Sequence, residues 1–337
     1  MDLFSTVTAV LPWQQPHWQA FVQALGQQRL PHALLLAGPT GMGKRHFAAA
    51  MAAHLVCERP ANVPEGHAAC GQCHSCRMRQ SGHHPNVMAI VPVEQGRMIR
   101  IDAVREINDF LSQTAQQGGY RLVMLSGADT MTVGAANALL KRLEEPGERT
   151  LFILTSDLPS RVLPTILSRC QRWNFAQPPL HECQPWLIDQ LDDADEAAFW
   201  WHVAGGAPLR AVALGQGERR QLRQKMVELF EALVRGGEPV AEAARLDKQP
   251  LLDVLDIGIA WLEDLIRFGL SANSETVKNP DILSLYRQAV KNGRVRDWFR
   301  LLDYAREQRR LIAGGGNPNP SLVLEAWLIR WAALLRS

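Results

Sequence analysis

The sequence predicts an α/β domain built on a parallel sheet, followed by an all-α region. Three observations carry this. The apolar run Ala33 to Ala37 leads into Gly38-Pro-Thr-Gly-Met-Gly43-Lys44, and an Ala-rich helical stretch follows from His46 to Leu55. Short apolar runs then alternate with helix-period segments up to about residue 176, the pattern of a parallel sheet covered on both faces. From about Gln216 onward only helical periodicity remains.

The first element is a strand, a glycine-rich loop and a helix in the order and spacing of a P-loop, GxxxxGK. Glycine lets the backbone approach an anion, the loop N–H groups and the helix N-terminus point at it, and lysine adds a point charge. A glycine-rich turn with no ligand is the alternative. Gly38, Thr40, Gly41, Gly43 and Lys44 are therefore candidate phosphate contacts. The position after the lysine, where a Ser or Thr hydroxyl would ligate magnesium, is Arg45, a cation with no acceptor atom.

The later elements come in order. Val87 to Val91 reads as a second strand, and Asp102 as the N-cap of a helix carrying Val104, Ile107, Phe110 and Leu111, ended by Gly118-Gly119. Arg121 to Leu125 is a third strand. Thr132 caps a helix with Ala136, Leu139, Leu140 and Leu143 on one face, stopped by Pro146. Thr150 to Leu154 is a fourth strand ending at Thr155-Ser156; a helix opens at Ser160, and Arg172 to Phe175 is a fifth strand. Ligands of such sheets gather at the carboxyl ends of strands, so the P-loop, the end of strand three and Thr155 should meet. A hydrolysing P-loop enzyme carries an acid for magnesium at the end of strand three, usually followed by a glutamate that activates water. Here Ser126 and Gly127 stand at those places, and Asp129 comes too late, in the turn before Thr132. With Arg45, three groups needed for metal-assisted hydrolysis are missing, which predicts weak or absent ATP binding and no hydrolysis.

Composition bounds the rest. The chain has 337 residues, 47% hydrophobic and 21% charged, enough for two or three domains with cores of their own. A net charge of +2 gives no global field for nucleic acid. No run of about twenty apolar residues and no leader pattern occurs, so the expectation is a cytoplasmic protein with no membrane contact. Of six cysteines, Cys57, Cys70, Cys73 and Cys76 fall in the pattern C-x12-C-x2-C-x2-C. Four thiolates so spaced complete a tetrahedral zinc shell and leave no open position, which makes the expected metal structural. Nearby His67, His74, His83 and His84 are left out as ligands, and Cys170 and Cys183 read as ordinary thiols.

Asn137-Ala-Leu-Leu-Lys-Arg-Leu-Glu-Glu-Pro146, Leu151-Phe-Ile-Leu-Thr155 and Leu167-Ser168-Arg169-Cys170 together resemble the AAA+ clamp-loader family, and the four-cysteine insert is similar to that of its bacterial members. The resemblance is dense over residues 20–215 and thin beyond. It implies an AAA+ domain at 1–176 with a zinc insert at 57–76, a helical lid at 177–214 and an all-α collar for oligomerisation at 215–337. It also implies a role for two arginines. Arg210, in Ala207-Pro-Leu-Arg-Ala211, resembles a sensor reaching phosphate from the lid, and a surface arginine at a helix start is the other reading. Arg169 resembles an arginine finger offered in trans to ATP on the next subunit; without the resemblance it reads as a cation at a helix C-terminus. The tryptophans of the last region read as core or interface anchors.

The resemblance thus implies a non-hydrolysing, stator-like subunit of a bacterial clamp loader. Its partners would be hydrolysing gamma/tau subunits, a delta-like subunit, a sliding clamp met transiently and primer-template DNA reached through the complex. Two alternatives stay open: an active gamma/tau-like ATPase whose metal is held by other groups, and a zinc-dependent DNA-binding module with an idle P-loop.

Overall fold

The computed structural model describes residues 9–60, 63, 66–91, 98–112, 119–292, 294–314 and 316–336. They fall into two compact units. The first holds the residues up to Trp186 together with Ala207–Leu209; the second holds Leu187–Gly206 and the residues from Arg210 on.

In the first unit, α1 (Gln15–Gly26) precedes β1 (Ala33–Ala37), α2 (Lys44–Val56), α3 (His74–Gln80), β2 (Val87–Ile90), α4 (Ile101–Ser112) and β3 (Arg121–Ser126). There follow α5 (Val133–Glu144), β4 (Thr150–Ser156), α6 (Pro164–Leu167) and β5 (Gln171–Asn174), and α7 (Leu180–Leu191) begins. The five strands form one parallel sheet in the order β2-β3-β4-β1-β5. Every residue of β1, β3 and β4 is buried, as a sheet with helices on both faces requires. Along α2, Phe47 and the alanines Ala48, Ala49, Ala50, Ala52 and Ala53 are all buried, because small side chains let this helix lie close to its neighbours. Val104 and Ile107 of α4, with Leu139 and Leu143 of α5, join Val123, Leu125, Phe152 and Leu154 of the sheet in one core.

Three sequence expectations need correction or limit. Asp102 is the second residue of α4, in its first turn and paired with Arg105, so it is not the N-cap. The helix expected from Ser160 is broken into a 3-10 turn, Pro159–Arg161, and the four-residue α6, because Leu163 precedes Pro164 and is extended (φ −57°, ψ 136°). Gly118 lies outside the described residues. Thr132 does cap α5, its hydroxyl accepting from Ala135 N at 3.2 Å.

The second unit is helical. Beyond the end of α7 it contains α8 (Ala194–Val203), most of α9 (Pro208–Gly215), α10 (Gly217–Val234), α11 (Pro239–Ala244), α12 (Leu251–Ser271), α13 (Leu283–Asn292), α14 (Val295–Ala313) and α15 (Pro320–Arg336). Trp261, Trp298 and Trp327 are fully buried in its core, as the anchor reading expects. Gly258 makes room for Trp327: a Cβ there would stand 2.1 Å from the ring. Buried Asp264 accepts from Asn279 N and Nδ2, and Arg223 bonds Asn279 and both oxygens of Asp281.

Candidate functional site

The P-loop connects the carboxyl end of β1 to the start of α2. Two glycines make its path possible. A Cβ on Gly38 would lie 2.2 Å from the Phe175 carbonyl oxygen. Gly43 has φ +84°, and a Cβ there would meet Gln14 Nε2 at 2.5 Å and Leu11 Cδ1 at 2.8 Å. The loop is held from below by residues that sequence reasoning passed over: Trp13 Nε1 donates to Met42 O at 3.1 Å, and buried Gln14 donates to Met42 O and Gly43 O.

Lys44 is buried, and its three N–H bonds have three acceptors within the protein. They are Gly38 O at 2.7 Å, Pro39 O at 2.7 Å and Asp157 Oδ1 at 2.6 Å. The other oxygen of Asp157 accepts from Thr40 Oγ1 at 2.8 Å. Asp157 N in turn donates to Asp129 Oδ1 at 3.1 Å. Burial pulls the Lys44 ammonium below its ordinary range, and Asp157 chiefly pulls it back. The loop's cation therefore rests against a carboxylate where a P-loop would hold phosphate.

The expected meeting of the P-loop, strand three and Thr155 is present. Ser126 is opposite Thr155 in register, and Gly127 N donates to the Thr155 carbonyl and hydroxyl at 3.1 and 3.3 Å. The Thr155 hydroxyl thus serves the adjacent strand end. Ser126 is buried, and its hydroxyl has no partner among the described residues. Arg45 is exposed. Asp129 lies in the turn before α5, as expected, and also fastens Asp157. Asp157 itself was missed, though it stands directly after β4, at the sheet end where ligands gather.

Cys57, Cys70, Cys73 and Cys76 come together, all four Sγ atoms within 4.8 Å of one another. Cys57 ends α2 and Cys73 caps α3, its sulfur accepting from Cys76 N at 3.3 Å; Cys70 N donates to Cys57 Sγ. Sulfurs around a tetrahedral zinc stand roughly 3.8 Å apart, and Cys70 and Cys76 Sγ are 3.9 Å apart. Burial pushes the Cys57 and Cys76 thiols up, while N–H groups of Gln72 and Cys73 pull Cys70 down to about 6. A bound dication would overcome the burial, since a coordinating thiol is deprotonated. The set fits a metal ion. His84 stays outside it: Nε2 contacts Ser75 Oγ and Nδ1 accepts from Asn86 N.

Arg169 lies two residues past α6, partly exposed, and is fastened to Glu144 at the end of α5. Arg210 belongs to the second unit, the third residue of α9, and is exposed. Neither Cys170 nor Cys183 forms a disulfide with a described residue; Cys183 Sγ donates to Leu180 O at 3.4 Å, and burial pushes the Cys170 thiol up to about 11. No helix among the described residues is long and apolar enough to cross a membrane.

The family model described as DNA polymerase III, delta subunit, matches residues 13–179, and that of its C-terminal part matches 217–333. DNA polymerase III subunit delta' of Pseudomonas aeruginosa is 37% identical over 331 residues, 96% of this chain and 98% of the relative. The delta' subunit of Escherichia coli is 32% identical over 83% of each chain. The tau subunit of Bacillus subtilis is 33% identical over 45% of this chain and 26% of its own length. Among solved structures, a gamma subunit-related protein of Thermotoga maritima is 20% identical with a TM-score of 0.39, over 86% of this chain and 99% of that one; a likeness so remote carries no detail.

Proposed function

Because this chain belongs to the DNA polymerase III delta' family, we propose that it is the clamp-loader subunit that does not hydrolyse ATP and instead completes a neighbour's active site with Arg169. The observation that carries the idle half of this reading is the state of Lys44. Its charge is met by Asp157 and two loop carbonyls, while Arg45 and Ser126 offer no strong magnesium ligand. ATP binding at Gly38, Thr40, Gly41, Gly43 and Lys44, with Thr155 at the sheet end, is weak or absent. The other half follows from phosphoryl transfer, in which charge develops on the γ-phosphate oxygens. A planar guanidinium supplied in trans stabilises it by roughly 10³–10⁵ in rate at the site it serves.

The partners are gamma/tau-like hydrolysing subunits and a delta-like subunit, with the sliding clamp and primer-template DNA met through the assembly, in the cytoplasm. Residues 177–214 act as the lid and 215–337 as the collar. Cys57, Cys70, Cys73 and Cys76 hold a structural zinc that orders the insert after α2.

Arg169→Ala in the reconstituted complex tests the reading. Assembly survives while DNA-stimulated ATP turnover and clamp loading fall, by less than the single-site factor because one site of several is affected. Arg169→Lys restores little, for want of the bidentate fork. Unchanged turnover with normal assembly would leave Arg169 a helix-end cation. One competing reading has an observation behind it: Asp157 and Asp129, both carboxylates beside the P-loop, hold magnesium and the subunit hydrolyses ATP itself. Phosphate release by the isolated chain, at a rate that follows the protein through purification, would favour it.

A further inference from the structure

A guanidinium has five N–H donors in a fixed plane. In Arg169, Nε and one N–H of Nη2 both point at Glu144 Oε1, the first at 2.9 Å. One N–H of Nη1 meets Thr165 O at 2.9 Å, and the contact from Nη1 to Ser168 Oγ is long, at 3.4 Å. One N–H of Nη2 takes no part in these contacts. The side of the guanidinium is therefore fixed, while each Nη keeps a donor that is open or easily released.

Glu144 is a poor choice for stability alone. It is the last residue of α5, where the helix dipole disfavours a carboxylate. Its ion pair is half exposed, with Arg169 at 32% and Glu144 at 50%, and such pairs add little to folding. What the contact does provide is a single orientation for a long, otherwise mobile side chain.

We propose that Glu144 is the positioning residue for Arg169, holding the guanidinium by its Nε–Nη2 side so that the remaining Nη donors form a prepared fork for a phosphoryl group bound by an adjacent subunit. The proposal rests on the trans role given to Arg169 above. Glu144 does not touch the phosphate. It removes the rotamer freedom that a free arginine would lose at the moment of reaction, a loss of roughly ten-fold in rate.

The test uses the reconstituted complex carrying Glu144→Ala, Glu144→Gln, Arg169→Ala or the double variant Glu144→Ala/Arg169→Ala. DNA-stimulated ATP turnover is measured across ATP concentrations, with thermal melting of each purified subunit alongside. Glu144→Ala lowers the kcat of the complex by less than the roughly ten-fold lost at the one site it serves, and by no more than Arg169→Ala does, with KM and melting temperature unmoved; Glu144→Gln, which keeps one acceptor oxygen, loses less. In the Arg169→Ala background Glu144→Ala has no further effect. Full activity of Glu144→Ala beside a defective Arg169→Ala overturns the positioning role and leaves the finger standing. A Glu144 effect that persists undiminished without Arg169, or one accompanied by a fall in melting temperature, also overturns it. Unchanged turnover in Arg169→Ala removes the finger itself, and the positioning role with it.

Discussion

Asp157→Ala removes the carboxylate that fastens Lys44 while leaving the P-loop sequence intact, and it should move stability and nucleotide affinity in opposite directions. Lys44 is 4% exposed and Asp157 46%. A hydrogen bond to a charged group contributes about 1.5–3 kcal/mol, and the exposure of Asp157 screens this one, so a loss of about 1–2 kcal/mol is expected. The backbone bond from residue 157 to Asp129 survives the substitution. An incoming triphosphate, however, must displace Asp157 from the ammonium in the parent protein. With the carboxylate gone, each 1.4 kcal/mol no longer needed for that displacement tightens binding about ten-fold. Urea unfolding measures the first effect, and titration with a fluorescent ATP analogue, with and without magnesium, measures the second. A variant that is less stable yet binds nucleotide no better than the parent would refute the idea that Asp157 stands in the place of phosphate.

Three further outcomes are expected. Purified protein carries about one zinc per chain, lost on Cys73→Ser or Cys70→Ser together with the packing around the four cysteines, since such sites bind and fold together; metal analysis and limited proteolysis check this, and intact metal-free protein would contradict it. Burial holds His17, His46 and His54 below their ordinary range, His46 at about 4. The unfolded chain therefore binds more protons between pH 6.5 and 4, and stability present above pH 6.5 is lost as the pH falls through that window. His46 alone accounts for about 2 kcal/mol at most by pH 5, so His46→Gln should flatten the pH dependence of the urea midpoint. Gly43→Ala combines a left-handed backbone with a collision against Gln14 and Leu11, costing roughly 2–4 kcal/mol in unfolding experiments, and Gln14→Ala should recover part of it.

The centre of the sheet was legible because its three inner strands are buried on both faces and therefore read as largely apolar runs: Ala33 to Ala37, Arg121 to Leu125 and Thr150 to Leu154 each appear within a residue or two of their place. The cysteine cluster was legible because spacing alone brings thiolates together. The stretch after β4 was not, since Ser160 looks like a cap but Pro159 and Pro164 divide the chain there into single turns. Asp157 was missed for a different reason. A hydrolysing P-loop enzyme carries its acids at the end of strand three, and an acid that answers the lysine rather than a metal lies outside that pattern. Trp13 and Gln14 escaped because their work is done across 28 or 29 residues of chain, against loop carbonyls with no signature of their own.

The bonding of Lys44 also changes what its substitution can report. A P-loop lysine is ordinarily replaced to abolish nucleotide binding, and any defect is then assigned to nucleotide. Here the ammonium meets the Gly38 and Pro39 carbonyls and the Asp157 carboxylate within the protein itself. Lys44→Ala would take the ammonium away from all three, and losing hydrogen bonds to a charged group, screened here by the exposure of Asp157, costs about 1–2 kcal/mol before any ligand is considered. A loading defect in Lys44→Ala is therefore expected even if the subunit never binds ATP, and it should come with a lowered melting temperature. Asp157→Ala and Lys44→Ala separate the two explanations. If the lysine matters through nucleotide, freeing it should preserve or improve loading; if it matters through the fold, both substitutions should weaken loading in proportion to the stability they remove. In the second case GxxxxGK would serve the fold without nucleotide, Lys44 being the cation that closes its own loop.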